Sequence, residues 1–358
     1  MRGVWRLHRM LDRLEALGAK PPELEAEPEA PVESEVPVEP ERPLPKGLWM
    51  AKRQPWAYVV IPKSACTTAG QYLYYADHGY YYHDDVHRMN YGLYKAGHTQ
   101  EAVRDRLAEA GEELFTFSFT RDPYARLVSA FLDKVADLEQ GYRPDFKDHL
   151  SSDWGVQLAG GSQTQNFKNF IRFLEHQYQQ WELFQENEVA GGVDHREAWE
   201  KVDIHWLRQS WYMRRGRRHS SQIDFIGTVE TMQDDLEQLS VDLAPPHIPP
   251  LAEMPKFGAG PRREAPLEDY FDDAETRRIV LKYFAPDFRL FGYSNEPGGP
   301  PEVLDGYERA ARFEDDFADK AEAAMGKGEP LDIDDDDRPS CAVPNEPDPD
   351  EAVDPNLR

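Results

Sequence analysis

The chain has 358 residues, with 67 acidic side chains against 41 basic ones and a formal charge of −26. That sign argues against a sequence-blind binder of nucleic-acid polymers, whose affinity would rest on Lys and Arg neutralising phosphates. With 40% apolar and 12% aromatic residues, the chain can bury a sizeable core as one large domain or two small ones.

Residues 1–48 carry 10 acids and 7 bases. Their PPELEAEPEAPVESEVPVEPERPLP run alternates Pro with Glu and Val, a composition expected to be disordered. Ahead of it, MRGVWRLHRMLDRLEALGAK can form a short basic helix with Val4, Leu7, Leu11 and Leu14 on one face. Such a helix would dock on a partner or a membrane surface, or simply add to the domain. It lacks the apolar core of a secretory signal, and no stretch approaches the ~18 apolar residues of a membrane span. Only Cys66 and Cys341 occur, so a disulfide framework is not expected and a reducing, cytoplasmic compartment fits. The bases comprise 28 Arg and 13 Lys, a balance that suits either solubility in high salt or a GC-rich genome.

The segment AYVVIPKSACTTAGQYLYY opens with an apolar run, Tyr58 to Ile61, short enough for a buried parallel strand. Pro62 ends it, and Lys63, Ser64, Ala65, Cys66, Thr67 and Thr68 lead into a stretch with helical spacing, Ala69, Leu73 and Ala76. A strand, a small-residue loop and a helix N-terminus together make an anion site. Lys63 adds a full charge, and the hydroxyls add donors. The glycines of the nucleoside-triphosphate loop GxxxxGK[ST] are missing and Lys63 stands at the wrong end, which disfavours a phosphoryl-transferring kinase. A Thr-capped helix after a buried strand is the plainer alternative. Beyond the helix, YYHDDVHRMN offers His83 and His87, and imidazole suits a general base because its ordinary pKa is about 6.5.

The next strand–helix pair is ELFTFSFTRDPYARLVSAFLDK, in which Phe115, Phe117 and Phe119 alternate with Thr116, Ser118 and Thr120. Asp122 is a good N-cap and Pro123 a good first helical residue. Arg121 and Ser129 can face the mouth of the first loop, and the planar fork of Arg suits a terminal phosphate. Further on come His205 in VDIHWLRQSW and four arginines, Arg214, Arg215, Arg217 and Arg218, in YMRRGRRHSS. The arginines read either as a grip on an acidic glycan or as a solvated loop tied to the acidic tail. Residues 295–358 hold 20 acids against 6 bases and read as a mostly disordered tail, with helix-forming composition over 302–324. The expected globular domain is 49–294.

Read together, these segments resemble a known family. IPKSACTT resembles the 5′-phosphosulfate loop of the sulfotransferases. FTRDPYARLVSAFLDK looks like their 3′-phosphate motif, in the form found in the Golgi carbohydrate sulfotransferases, a branch that includes the chondroitin, dermatan and human-natural-killer-epitope enzymes. VDIHWLRQSW is similar to the branch's His-Trp segment, and IDFIGTVETMQDDL with YFAPDFRLFGYS to its C-terminal strand, helix and closing motif. The resemblance spans roughly Trp56 to Ser294.

The resemblance implies an α/β fold, a P-loop-like three-layer sandwich with a central parallel sheet, flanked here by acidic tails. It also implies the donor 3′-phosphoadenosine 5′-phosphosulfate and no metal. Carried onto matching positions, Lys63 to Thr68 would hold the 5′-phosphosulfate, and Arg121 and Ser129 the 3′-phosphate. Lys63 would stabilise the leaving phosphate, and the resemblance favours His87 over His205 as base, because His87 is followed by Asn90 and Leu93. The Golgi enzymes carry an N-terminal membrane helix and several luminal cysteines, and this chain shows neither. A soluble relative acting on a carbohydrate is therefore expected. The competing readings are a sulfotransferase for a lipid, metabolite or tyrosine hydroxyl, and a non-catalytic nucleotide-binding scaffold.

Overall fold

A computed structural model describes residues 47–87, 93–94, 114–136, 144–157, 161–189, 204–217, 222–254 and 263–327, all within Glu41–Arg358, one compact unit of the chain. The N-terminal basic helix, the Pro/Glu-rich run and the acidic stretch after 327 lie outside the described residues.

Five described strands share one sheet: β1 (Leu48–Ala51), β2 (Trp56–Val59), β3 (Leu93–Tyr94), β4 (Phe115–Thr120) and β5 (Phe225–Thr228), in the order β3-β1-β2-β4-β5. β2, β4 and β5 are parallel, with Tyr58 opposite Phe117 and Phe117 opposite Phe225. β1 runs antiparallel to β2 and to β3. The expected parallel sheet is thus found at its centre only. Four residues join β1 to β2, and a link that short makes a hairpin, whereas a parallel partner needs a crossover of a dozen or more residues.

The described helices are α1 (Cys66–His78), α2 (Pro123–Phe131), α3 (Pro144–Trp154), α4 (Gln163–Val189), α5 (Gln209–Arg217), α6 (Met232–Leu243), α7 (Ala274–Phe291) and α8 (Gly306–Lys327). One apolar cluster joins Tyr58, Phe117 and Phe225 of the sheet to Leu73 of α1 and Leu239 of α6. The other joins Val59 and Ile226 to Leu127 and Phe131 of α2, Phe170 of α4 and Phe284 of α7. β4 lies between them. Its Phe–Thr/Ser alternation would ordinarily mark one wet face, yet Thr116, Ser118 and Thr120 are buried too. Ser118 and Thr120 meet their needs inside the sheet: Ser118 Oγ donates to the Val59 carbonyl at 2.7 Å and Thr120 Oγ1 to that of Gly227 at 3.3 Å.

Two further contacts matter for the site. α5 approaches β2 so closely that a Cβ at Gly216 would lie 2.4 Å from Val59 Cγ2. α8, inside the segment read as an acidic tail, packs on β5: Phe313 is fully buried, and Arg309 Nη1 donates to the Ile226 carbonyl at 3.1 Å. The folded part therefore continues past 294.

Candidate functional site

β2 and β4 are parallel neighbours, so the segments leaving their carboxyl ends, Pro62–Ala65 and Arg121–Asp122, are brought side by side. Ligands of open α/β sheets bind at this edge. Lys63 (φ 66°) and Ala65 (φ 53°) both adopt the left-handed region, which costs a non-glycine residue on the order of 1 kcal/mol. Ala65 is the N-cap of α1 and offers no capping side chain. Cys66, Thr67 and Thr68 therefore form the first turn of α1, not a loop, and their end of the helix presents its partial positive charge outward.

Lys63 Nζ lies 2.9 Å from Asp133 Oδ2, in the π-type turn Leu132–Ala136 that continues α2, and Lys134 shares that carboxylate at 3.1 Å. Burial alone would raise the Asp133 carboxyl, but the two ammoniums hold it below the usual range. Arg121 Nη1 donates to the Lys63 carbonyl at 3.2 Å. Burial pulls the Arg121 pKa down, with Glu230 opposing. Asp122 caps α2 by accepting the Tyr124 N–H at 2.9 Å, with Pro123 first in the helix. The Asp122 N–H donates to Glu230 Oε1 at 3.0 Å, and Tyr293 of the closing segment donates to Glu230 Oε2 at 3.3 Å. Burial, reinforced by Glu230, pushes Asp122 up to about 6. Ser129 is half-buried on α2, one helical turn before Asp133.

His87 sits at the same mouth. Its Nε2 lies 3.2 Å from Thr67 Oγ1 and 3.4 Å from Cys66 Sγ, and its ring stands edge-on to Trp49 at 5.1 Å. The Asp85 carboxylate accepts the His87 N–H at 2.9 Å. Burial pushes the Cys66 thiol up, although Lys63 opposes it, so a protonated thiol faces the imidazole. His83 is exposed and tilted against Tyr82. His205 belongs to the short turn Ile204–Trp206. That turn is anchored by Trp206, whose Nε1 donates to Gln177 at 3.2 Å.

The side chains that join these pieces sit inside the family-like segments, yet nothing in the local pattern marks them as the joining residues. Gln209, fully buried, accepts from Ser64 Oγ at 3.0 Å and the Arg121 N–H at 2.9 Å through Oε1, and donates to the Arg121 carbonyl at 2.7 Å through Nε2. Asp287 of the closing segment accepts the Gln209 and Ser210 N–H groups at 2.7 and 2.9 Å, capping α5. Arg126 is buried, with Nε on the Pro62 carbonyl at 2.9 Å and Nη1 on that of Leu207 at 2.7 Å.

Arg214 and Arg217 are engaged elsewhere. Arg214 pairs with Asp316 at 3.1 Å and Arg217 with Glu314 at 2.7 Å, both on α8. Arg217 is eight residues along α5 from Gln209, roughly 12 Å of helix. The Arg215 side chain and Arg218 lie outside the described residues. Among the described residues no three His, Cys, Asp or Glu side chains are placed to share a metal ion, and no helix is long and apolar enough to cross a membrane.

Two strand–loop–helix segments side by side at the carboxyl edge of a mixed sheet, whose strands β2, β4 and β5 are parallel, define an α/β protein. The pattern of the Sulfotransferase family matches residues 46–294. The chain belongs to that family. It is similar to carbohydrate sulfotransferase 10 of Xenopus laevis, 28% identical over 193 residues, which make up 50% of this chain and 47% of the relative. It is also similar to carbohydrate sulfotransferase 14 of Mus musculus, 26% identical over 257 residues, 68% of this chain and 59% of the relative. The human carbohydrate sulfotransferase 14 is 27% identical over 201 residues, 54% and 45% of the two chains. The chain thus spans about half the length of the curated relatives it matches. No solved structure matches it.

Proposed function

We propose that this protein transfers a sulfuryl group from 3′-phosphoadenosine 5′-phosphosulfate to a hydroxyl of a carbohydrate, and that its architecture is the P-loop-like three-layer sandwich. The observation that carries the reading is His87 Nε2 lying 3.2 Å from Thr67 Oγ1 in the first turn of α1, beside a loop that Arg121 ties to Lys63. An imidazole then stands at the first turn of α1, next to the loop that carries Lys63. The residues suit the donor: two anion-binding motifs stand side by side, and Ser129 makes no side-chain hydrogen bond among the described residues.

In this reading Lys63 to Thr68 hold the 5′-phosphosulfate, and Arg121 and Ser129 the 3′-phosphate. The acceptor oxygen forms a bond to sulfur in line with the breaking bond to the 5′-phosphate oxygen. Its proton passes to His87 Nε2, and Lys63 stabilises charge growing on the departing phosphate. His205 lies in the short turn Ile204–Trp206, next to buried Trp206. The 214–218 arginines would serve as a second contact for an acidic glycan only if Asp316 and Glu314 released Arg214 and Arg217. A cytoplasmic site of action, supported by the cysteine usage, completes the proposal.

The test is transfer of radiolabelled sulfate from the donor to a panel of neutral and acidic glycans, with titration calorimetry of the desulfated nucleotide alongside. His87→Ala should lose at least about 10²-fold in turnover and still bind that nucleotide, whereas Lys63→Ala should lose turnover as well. Near-normal turnover by His87→Ala removes it as base. Nucleotide binding without consumption of donor by the wild type favours the scaffold reading instead.

A further inference from the structure

Two motifs that must hold opposite ends of one nucleotide lie on different segments, the first after β2 and the second after β4. Main-chain pairing of β2 with β4 stops at Val59 and Ser118, before either motif begins. Beyond that point their separation is fixed by side chains. Gln209 is fully buried between them and bonds to both, taking Ser64 Oγ and the Arg121 N–H on Oε1 and giving Nε2 to the Arg121 carbonyl.

The Arg121 main chain dictates which end of the Gln209 amide faces which partner. An N–H must meet an acceptor and a carbonyl a donor; a flipped amide would set like against like twice. The side chain thus imitates a neighbouring strand for one residue and captures the loop serine with its remaining lone pair. Its own backbone is fixed by Asp287, which accepts the Gln209 and Ser210 N–H groups. The clasp therefore stands on α5 and α7, outside both motifs.

We propose that Gln209 is a positioning residue that sets the distance between the Lys63–Thr68 cradle and Arg121, so that a ligand with two phosphates gains from both at once. This rests on the nucleotide reading above and goes beyond it, because neither motif contains Gln209. The chemistry it serves is a nucleoside bearing phosphate groups at both 3′ and 5′ positions. Misplacing one motif by about 1 Å is worth up to about a hundredfold in such a site, and the loss falls on the benefit of the second phosphate, not on binding in general.

The experiment is calorimetric titration of wild type, Gln209→Leu and Gln209→Glu with adenosine 3′,5′-bisphosphate and with adenosine 5′-monophosphate. Wild type should prefer the bisphosphate. In Gln209→Leu, shown folded by circular dichroism, that preference should shrink by about tenfold or more. Gln209→Glu should lose it when ionised and regain it relative to wild type as pH falls, because a protonated carboxyl again offers one donor and one acceptor. A purely packing role would weaken both ligands equally in Gln209→Leu and leave Gln209→Glu without pH-dependent recovery; either result overturns the clasp. Should Gln209→Leu fail to fold, the recovery of Gln209→Glu decides the matter. A wild type that binds neither nucleotide overturns the functional reading itself, and the clasp with it, whereas an unchanged preference in the variants sinks the clasp alone.

Discussion

Asp122 caps α2 while lying beside Glu230, and the two duties conflict. The cap favours a charged acceptor, but burial and the neighbouring carboxylate push the group up to about 6. A carboxyl raised in the folded state stabilises fully below its unfolded pKa of about 4, and that contribution is lost as pH rises through about 6. Asp122→Asn keeps an acceptor for the Tyr124 N–H. It should gain about 1 kcal/mol on the wild type between pH 4 and pH 7, allowing for partial solvent screening. Urea midpoints across that range measure it, and a difference that stays flat with pH would refute the assignment. The cap, Pro123, Lys63 and Arg121 were legible in the sequence because the strand–loop–helix pattern around each one marks its place. Gln209, Arg126 and Asp133 were not. Their partners lie 145, 64 and 70 residues away, at Ser64, Pro62 and Lys63, and no local pattern encodes such pairs.

At the scale of elements, the strand–helix units were readable from their runs of apolar residues, but β1 was missed. Leu48–Ala51 is four residues long and buried throughout, too short to show a period, and it exists as a strand through pairing with β2 and β3. α5 depends equally on its neighbours. Replacing Gly216 with Ala should favour the helix by up to about 1 kcal/mol from propensity alone. The added Cβ would meet the stiff Val59 side chain at 2.4 Å, and overpacking of this kind costs about 1 to 3 kcal/mol. Packing should win. Gly216→Ala is expected to unfold at lower denaturant than wild type, and a variant more stable than wild type would show that α5 has room to move off β2.

For the whole molecule, α8 turns part of an apparently repulsive acidic segment into a bonded one. Burial alone would raise the Asp316 carboxyl, but Lys320, Arg289 and Arg214 hold it down to about 2. A lowered carboxyl contributes stability above its unfolded pKa, and the contribution is lost as pH falls through about 2. Asp316→Asn should therefore cost about 1 kcal/mol near neutrality, with the deficit closing between pH 4 and pH 2. Chemical denaturation at pH 7 and at pH 2 measures it, and an equal deficit at both would assign the loss to packing. The Lys63–Asp133 pair has a different kind of consequence. Because Lys63 already holds a carboxylate, an arriving sulfate or phosphate exchanges one anion for another and does not fill a bare positive hole. Affinity for an anionic nucleotide should then fall less steeply with ionic strength than the surrounding cations suggest, and Asp133→Asn should steepen the slope. The cradle keeps an anion of its own until a stronger one displaces it.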